Sequence, residues 1–292
     1  MKKNDNFMAY VFLFPALIII AVFHIFPTLY SWYISFFDWD LISKHKEFVG
    51  FANYGKLLVD ADFWKALFNT VFFAVGTIPA GIILAFLIAY GLSKQVKGLA
   101  IFRTVYFLPV VTSFNAVGMI WLWIYHPDAG ILNWLLGLFG VSAQKWLLDP
   151  VLAMPAVMLM SIWKSLGYNI IIFLIGILSI PREYYEAAEI DGASGLAVFR
   201  YVTVPLVMPS VFFVTLVSLI GSFQTFTQVY MLTPEGGPLK STMVLVYYLY
   251  QNAFVFFKIG YASAISFVIF VIIFTLTILQ NKYWGEKIHY EN

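Results

Sequence analysis

Six stretches of this chain are so long, so apolar and so nearly free of charge that lipid is the only solvent that suits them. A bilayer core about 30 Å thick takes roughly 20 residues of helix to cross. The stretches at about 8–37, 67–93, 104–125, 151–179, 206–232 and 259–281 each reach that length. In lipid every backbone N–H and C=O must find its partner within the protein, which leaves helices or closed barrels. A barrel would alternate apolar and polar residues in segments of about ten, and these runs do not alternate. The fold class that follows is all-α: a polytopic membrane protein with six transmembrane helices, read as a single transmembrane domain over 1–292.

Composition agrees. With 62% hydrophobic and 11% charged residues in 292, a soluble domain would lack the interior to hide its apolar surface. Lys2 and Lys3 ahead of an apolar run have the outline of a secretory signal. The run is longer than such a segment and ends on Trp32, Phe36 and Phe37 rather than on small residues, so it reads as a retained first span. A net charge of +2 gives no case for nucleic acid as a partner. With no cysteine there are no disulfides, thiolate metal sites or cysteine nucleophile.

Six spans put both termini on one side. Placing them in the cytoplasm collects Lys2, Lys3, Lys94, Lys97, Arg103, Arg182, Arg200, Lys282 and Lys287 there, including all three arginines. Lys44, Lys46, Lys56, Lys65, Lys145, Lys240 and Lys258 then lie outside, which is a modest positive-inside bias.

The segment 181–205 between the fourth and fifth spans is the most informative. Pro181 suits the first turn of a helix, and Glu183, Glu186 and Glu189 recur every three residues as an acidic stripe. Asp191-Gly192 stops that helix, because glycine takes the left-handed conformation that closes helix ends. Ser194 is placed to cap a second short helix through Phe199 and Tyr201, and Pro205 marks the return into the membrane. By periodicity alone this is a helix–turn–helix, or equally an ordinary amphipathic surface loop.

Its spacing resembles something narrower. Glu186-Ala187-Ala188, three residues, Gly192, nine residues, then Val202-x-Val204-Pro205 is similar to the EAA motif of binding-protein-dependent ABC importer permeases. Two valines replace the usual aliphatic positions. The resemblance extends to the carbohydrate branch, close to the maltose-type first permease subunit. It is carried by Phe48-Val-Gly-Phe-Ala-Asn-Tyr54, Trp64-x4-Asn69-Thr70, Gly130-Ile-Leu-Asn133, Gly236-Gly237-Pro238 and Gly260-Tyr-Ala-Ser-Ala264. Pro234-Glu235 makes one outer link a residue longer than the pattern, and the extra N-terminal spans and large outer insertion of some maltose permeases are missing.

The resemblance implies the type I importer permease fold in a bacterial or archaeal inner membrane. It implies a second permease subunit, two ATP-binding subunits, an extracytoplasmic solute-binding protein and a carbohydrate substrate. It also implies that Glu183, Glu186, Ala187, Ala188, Asp191 and Gly192 couple this chain to the ATPase. ATP and magnesium then belong to the partner. This chain has no G-x-x-x-x-G-K-[ST] run and no His-Glu-x-x-His, paired aspartates or Ser/His/Asp arrangement, so no cofactor, metal or catalytic residue is expected on it.

Polar residues inside spans mark a path or a helix contact. Ser218, Gly221, Ser222 and Thr225 share one face of the fifth span, and the resemblance places substrate contacts there. Gln224, also a candidate for the path, pairs with Gln228 at i,i+4 on a side available to the partner permease. Asn115, beside Thr112 and Ser113, is a weaker path candidate. Lys164 lies too deep for the cytoplasmic surface and is expected to snorkel to the outer interface rather than to contact substrate, though it is the one in-span cation an anionic solute could use. His24, near Pro27, reads as a packed or kink-associated residue. The alternatives are a glycerol phosphate importer, which needs a buried cation, and an ion-coupled secondary transporter, which usually shows inverted repeats.

Overall fold

The computed structural model describes residues 2–40, 42, 46–94 and 99–285; the side chains of 2–7, 9 and 99–103 lie outside that description. The expectations for Lys44, Lys97 and Lys287, and for the side chains of Lys2, Lys3 and Arg103, therefore fall outside the described residues. The chain divides into two compact units, Met1–Phe63 with Tyr248–Val271 and Trp64–Tyr247 with Ile272–Asn292.

In the first unit, α1 (Lys2–Ile20), a π-helical turn (Ala21–Ile25) and α2 (Phe26–Ile34) run on as one apolar helix over Tyr10–Ile34. The π turn falls just ahead of Pro27, whose missing N–H disturbs the ladder there. His24 lies in that turn and is exposed, so of the two sequence readings it is the kink-associated one, not the packed one, that the structure matches. A short antiparallel hairpin follows, β1 (Phe37–Trp39) with β2 (Lys46–Phe48). Next, α3 (Ala52–Val59) carries Asn53, which donates to the carbonyls of Ser35 and Phe37 at 2.9 Å each, and Tyr54, whose hydroxyl meets Ser35 Oγ at 2.6 Å. The Phe48–Tyr54 motif thus clamps the end of the first long helix.

Asp60 tethers the far side of the same unit. Its carboxylate accepts from Tyr248, Tyr261 and the amides of Asp62 and Phe63. Burial works against its charge, but these hydrogen bonds outweigh burial and hold its carboxyl below the usual range.

The second unit begins within α4 (Ala61–Ser93) and continues through α5 (Leu99–Val111), α6 (Phe114–Ile124), α7 (Ile131–Leu138) and α8 (Ala153–Leu178). After α8 come α9 (Arg182–Ile190), α10 (Leu196–Val198), a π-helical turn (Phe199–Thr203), α11 (Val204–Leu206), α12 (Met208–Phe223) and α13 (Thr227–Leu232). Two further helices straddle the units, α14 (Leu245–Tyr250) and α15 (Ile259–Tyr283). Among the described residues four helices are long and apolar enough to cross a membrane, or six when each sharply bent pair counts as one span.

The stretch at 104–125 is one such pair, with α5 and α6 meeting at 112°. Ser113 between them is extended and caps α6 by accepting the Ala116 N–H at 3.3 Å. Hydropathy sees one mainly apolar run there and is blind to the break. The stretch at 206–232 is also interrupted: α12 stops at Phe223, and helix resumes only at Thr227.

The core of the second unit is where α4, α8 and α12 meet. Ala85 and Ala89 of α4 are fully buried and let α8 approach closely enough for Phe173 and Ile170 to seat beside Val207 and Val214. Two sequence motifs also meet in space in this unit. Asn69 donates to the carbonyls of Lys240 and Met243 at 3.0 and 2.9 Å, and Thr70 accepts the Leu245 N–H at 2.9 Å. Asn133 likewise pins its own loop, bonding Pro127, Gln144 and Trp146. The residue added by Pro234-Glu235 is absorbed at Glu235, which takes a left-handed conformation (φ 62°) and donates its N–H to the Tyr247 hydroxyl at 2.7 Å.

Candidate functional site

One end of the α4–α8–α12 core opens into a cavity of about 580 Å³. On α8, Ser161, Lys164, Ser165, Tyr168 and Asn169 follow three- and one-residue steps, so all face it from one side of the helix. Across from them α12 contributes Ser218, Gly221 and Ser222. The interruption after Phe223 adds Gln224 and Thr225, and α13 adds Thr227 and Gln228. Phe73 and Thr77 of α4 and the ring of Phe114 complete the wall.

Many of these hydroxyls rest on their own helix. Ser161 donates to Val157 O at 2.8 Å, Thr77 to Phe73 O at 2.7 Å and Thr225 to Gly221 O at 3.2 Å. Their lone pairs remain as acceptors, and a hydroxyl rotates easily when a better partner arrives. The wall therefore offers neutral donors and acceptors whose helices are not disrupted by engaging a solute.

Five of the six path candidates from the sequence, Ser218, Gly221, Ser222, Gln224 and Thr225, lie on this cavity. Asn115 does not: it is exposed near the start of α6 and outside the lining. Gln228 joins the lining too. Sequence reasoning missed the α8 face, although the polar periodicity of Ser161, Ser165, Tyr168 and Asn169 within an apolar span was the available signal. Lys164 does not reach the outer interface. It is buried, 8% exposed, with its ammonium turned onto backbone carbonyls at the α5–α6 break.

The other end of the same core leads into the loop. Along α8 the cavity face (161–169), the core residues Ile170 to Ile177 and then Pro181 follow in order, a distance of about 20–30 Å at 1.5 Å per residue. In α9 no residue is buried, and Glu183, Glu186 and Ala187 are exposed with Ala188 half-buried. Pro181 stands just outside the helix, at its N-cap. Glu186 pairs with Arg182 at 3.1 Å on the surface. At the other end Gly192 has φ +77°, with Ala193 N–H on Ala188 O at 2.8 Å and Gly192 N–H on Glu189 O at 3.0 Å. That pair of bonds closes a helix through a left-handed residue and satisfies its last carbonyls.

Ser194 is not the cap of the next helix. Gly195 occupies that position, and no side chain caps it. The returning segment is instead held by Phe199, whose ring lies 5.6 Å from Phe86 and 4.7 Å from Tyr90 of α4. A contact of Tyr185 Oη with Thr203 Oγ1 at 3.4 Å ties α9 to the same segment. The tip stays open, with Ile190 86% and Leu196 78% exposed.

Comparison with known proteins places this architecture. Residues 53–283 match the family model described as binding-protein-dependent transport system inner membrane component. The sn-glycerol-3-phosphate transport system permease protein UgpA of Agrobacterium fabrum is 32% identical, over 98% of this chain and 97% of that protein. The lactose transport system permease protein LacF of Rhizobium radiobacter is 34% identical, over 96% and 95% respectively. A chain in the crystal structure of a bacterial ABC transporter involved in the import of the acidic polysaccharide alginate superposes with a TM-score of 0.86 at 20% identity, covering 98% of both chains. At that identity the likeness concerns the fold.

Proposed function

The chain belongs to the family of binding-protein-dependent transport system inner membrane components, and on that premise we propose that it forms half of the translocation path of an ATP-driven importer for a sugar, oligosaccharide or polyol. The observation that carries this reading is the pairing of a hydroxyl- and amide-lined cavity with an open acidic loop at opposite ends of one packed three-helix core. The cavity receives the solute from an extracytoplasmic binding protein. The other half of the path is a second permease subunit.

The loop is the drive. Ile190 and Leu196, too apolar to favour water, dock with α9 into a separate ATP-binding subunit, and two such subunits hold the ATP and magnesium. Glu183, Glu186, Ala187, Ala188, Asp191 and Gly192 form that contact. Phe199, wedged against Phe86 and Tyr90, passes a push on the loop into α4 and from there to the core. Closure of the ATPase pair then rocks the helices between inward- and outward-facing states as rigid bodies. In this arrangement both termini and the loop lie in the cytoplasm, on the side holding Arg182 and Arg200.

LacF supports the sugar class, and UgpA keeps a phosphate-bearing solute in view as the second reading. The test is uptake into proteoliposomes containing this chain, its partner permease, the ATP-binding subunits and the binding protein. ATP-dependent accumulation is expected. Uptake that continues with the ATP-binding subunits left out would sink the importer reading.

A further inference from the structure

The third span is broken at Thr112 and Ser113, so the last carbonyls of α5 lose their helical partners and need other donors. Lys164 supplies them. Its Nζ donates to the carbonyl oxygens of Pro109, of Val110 at 3.2 Å and of Thr112 at 2.6 Å. An ammonium has three donors and no acceptor, so these bonds use its full capacity. The charge stands at the C-terminal end of α5, where the helix dipole is negative, and Nζ also lies 5.0 Å from the centre of the Phe114 ring.

The position of Lys164 is enforced from one turn away. A Cβ on Gly167 would fall 2.1 Å from the carbonyl oxygen of Tyr106, so α8 and α5 touch backbone to backbone at that point. Lys164 and Gly167 are three residues apart on the same face of α8. The close approach therefore sets Lys164 at the height of the open carbonyls.

Among the residues lining the cavity, Lys164 alone carries a charge. For a phosphate or carboxylate to engage it, at least one buried or part-buried α5 carbonyl would lose its donor, which is unfavourable. The rest of the wall is hydroxyl, amide, aromatic and aliphatic.

We propose that Lys164 is a positioning residue that closes the open end of α5, and that the part of the path built by this chain is thereby set for an uncharged, hydroxyl-rich solute and against a phosphate or carboxylate. This rests on the reading of the cavity as the solute path.

Two measurements on the complete transporter assembly in nanodiscs test it. The first is amide hydrogen exchange in peptides covering 108–117. Lys164→Met is expected to speed exchange there by about tenfold or more, while Lys164→Arg, which keeps the charge and several donors, stays within about threefold of wild type. Assembly lost in Lys164→Met and restored in Lys164→Arg reads the same way. Unchanged exchange in Lys164→Met overturns the proposal.

The second is thermal unfolding with about 10 mM sn-glycerol 3-phosphate against sodium chloride of equal ionic strength. No anion-specific stabilisation that depends on Lys164 is expected. A shift present in wild type and abolished in Lys164→Met would make Lys164 an anion site, and the proposal would fall. A Ser222→Leu variant separates the two levels. Solute uptake undisturbed by it removes the path reading and leaves the latch standing, whereas blocked uptake with a Lys164-dependent anion shift removes only the present proposal.

Discussion

In the cavity wall several polar side chains find partners on their own helices, whereas at the tip of the loop over 181–205 the acidic residues of α9, Ile190 and Leu196 are exposed. Ser161, Thr77 and Thr225 bond carbonyls one turn back, and Lys164 is spent on α5. Glu186 has only a surface ion pair with Arg182, of the kind worth roughly 0.5 kcal/mol or less. Ile190 and Leu196 are left open beside it. On the proposed reading, a wall in which several hydroxyls already have partners can exchange them for a solute without disturbing its helices. On the same reading, a loop that buries none of α9 is completed by another protein. The same core, Ala85 and Ala89 with Phe173, joins the two.

The contrast can be broken most severely at Gly167. Gly167→Val forces a side chain into the Tyr106 carbonyl, an overpacking that costs about 1–3 kcal/mol or more. The amount of chain recovered in the assembled transporter should collapse; recovery at wild-type levels would show that α5 and α8 do not touch there. Next in size, Ser222→Leu puts a bulky apolar group in the wall and should cut uptake by about tenfold through lost polar contacts and volume, with assembly intact. Loss of assembly instead would make this face a packing seam and erase the distinction from the loop.

Gly192→Val tests the other side. Nothing crowds a side chain at this position, so the whole penalty is the left-handed backbone, about 1–2 kcal/mol, which is a factor of about 5–30. Uptake should fall by that order while solute binding is unchanged, and ATPase activity should lose its dependence on the binding protein. Wild-type values for both would end the coupling role. Asn115→Ala should do least, under about twofold in uptake, because an exposed side chain away from the cavity has little to lose; a larger drop would extend the path to α6.

The loop was legible because its meaning lies in local spacing: Gly192 had to close a helix, and it does so with φ +77°. Ser194 was misread because Gly195 took the capping position. The α12 half of the cavity was legible as small and polar residues on one face. The α8 half was obscured by Lys164, which looked like an isolated charge seeking water. Its partners are carbonyls 52 to 55 residues away, exposed by a break that no hydropathy window registers. Motifs such as Asn69-Thr70 and Asn133 were visible as patterns, yet their role as loop clamps appears only when their acceptors are in place.

The Lys164 latch also bears on how the chain is made. Its acceptors are synthesised 52 to 55 residues before the donor, so α5 and α6 emerge from the ribosome with bare carbonyls at their junction. Until α8 arrives, those carbonyls lack the donors that Lys164 supplies, and the bend of the third span rests on local contacts such as the Ser113 cap of α6. On this geometry the fourth span is the one that completes the third.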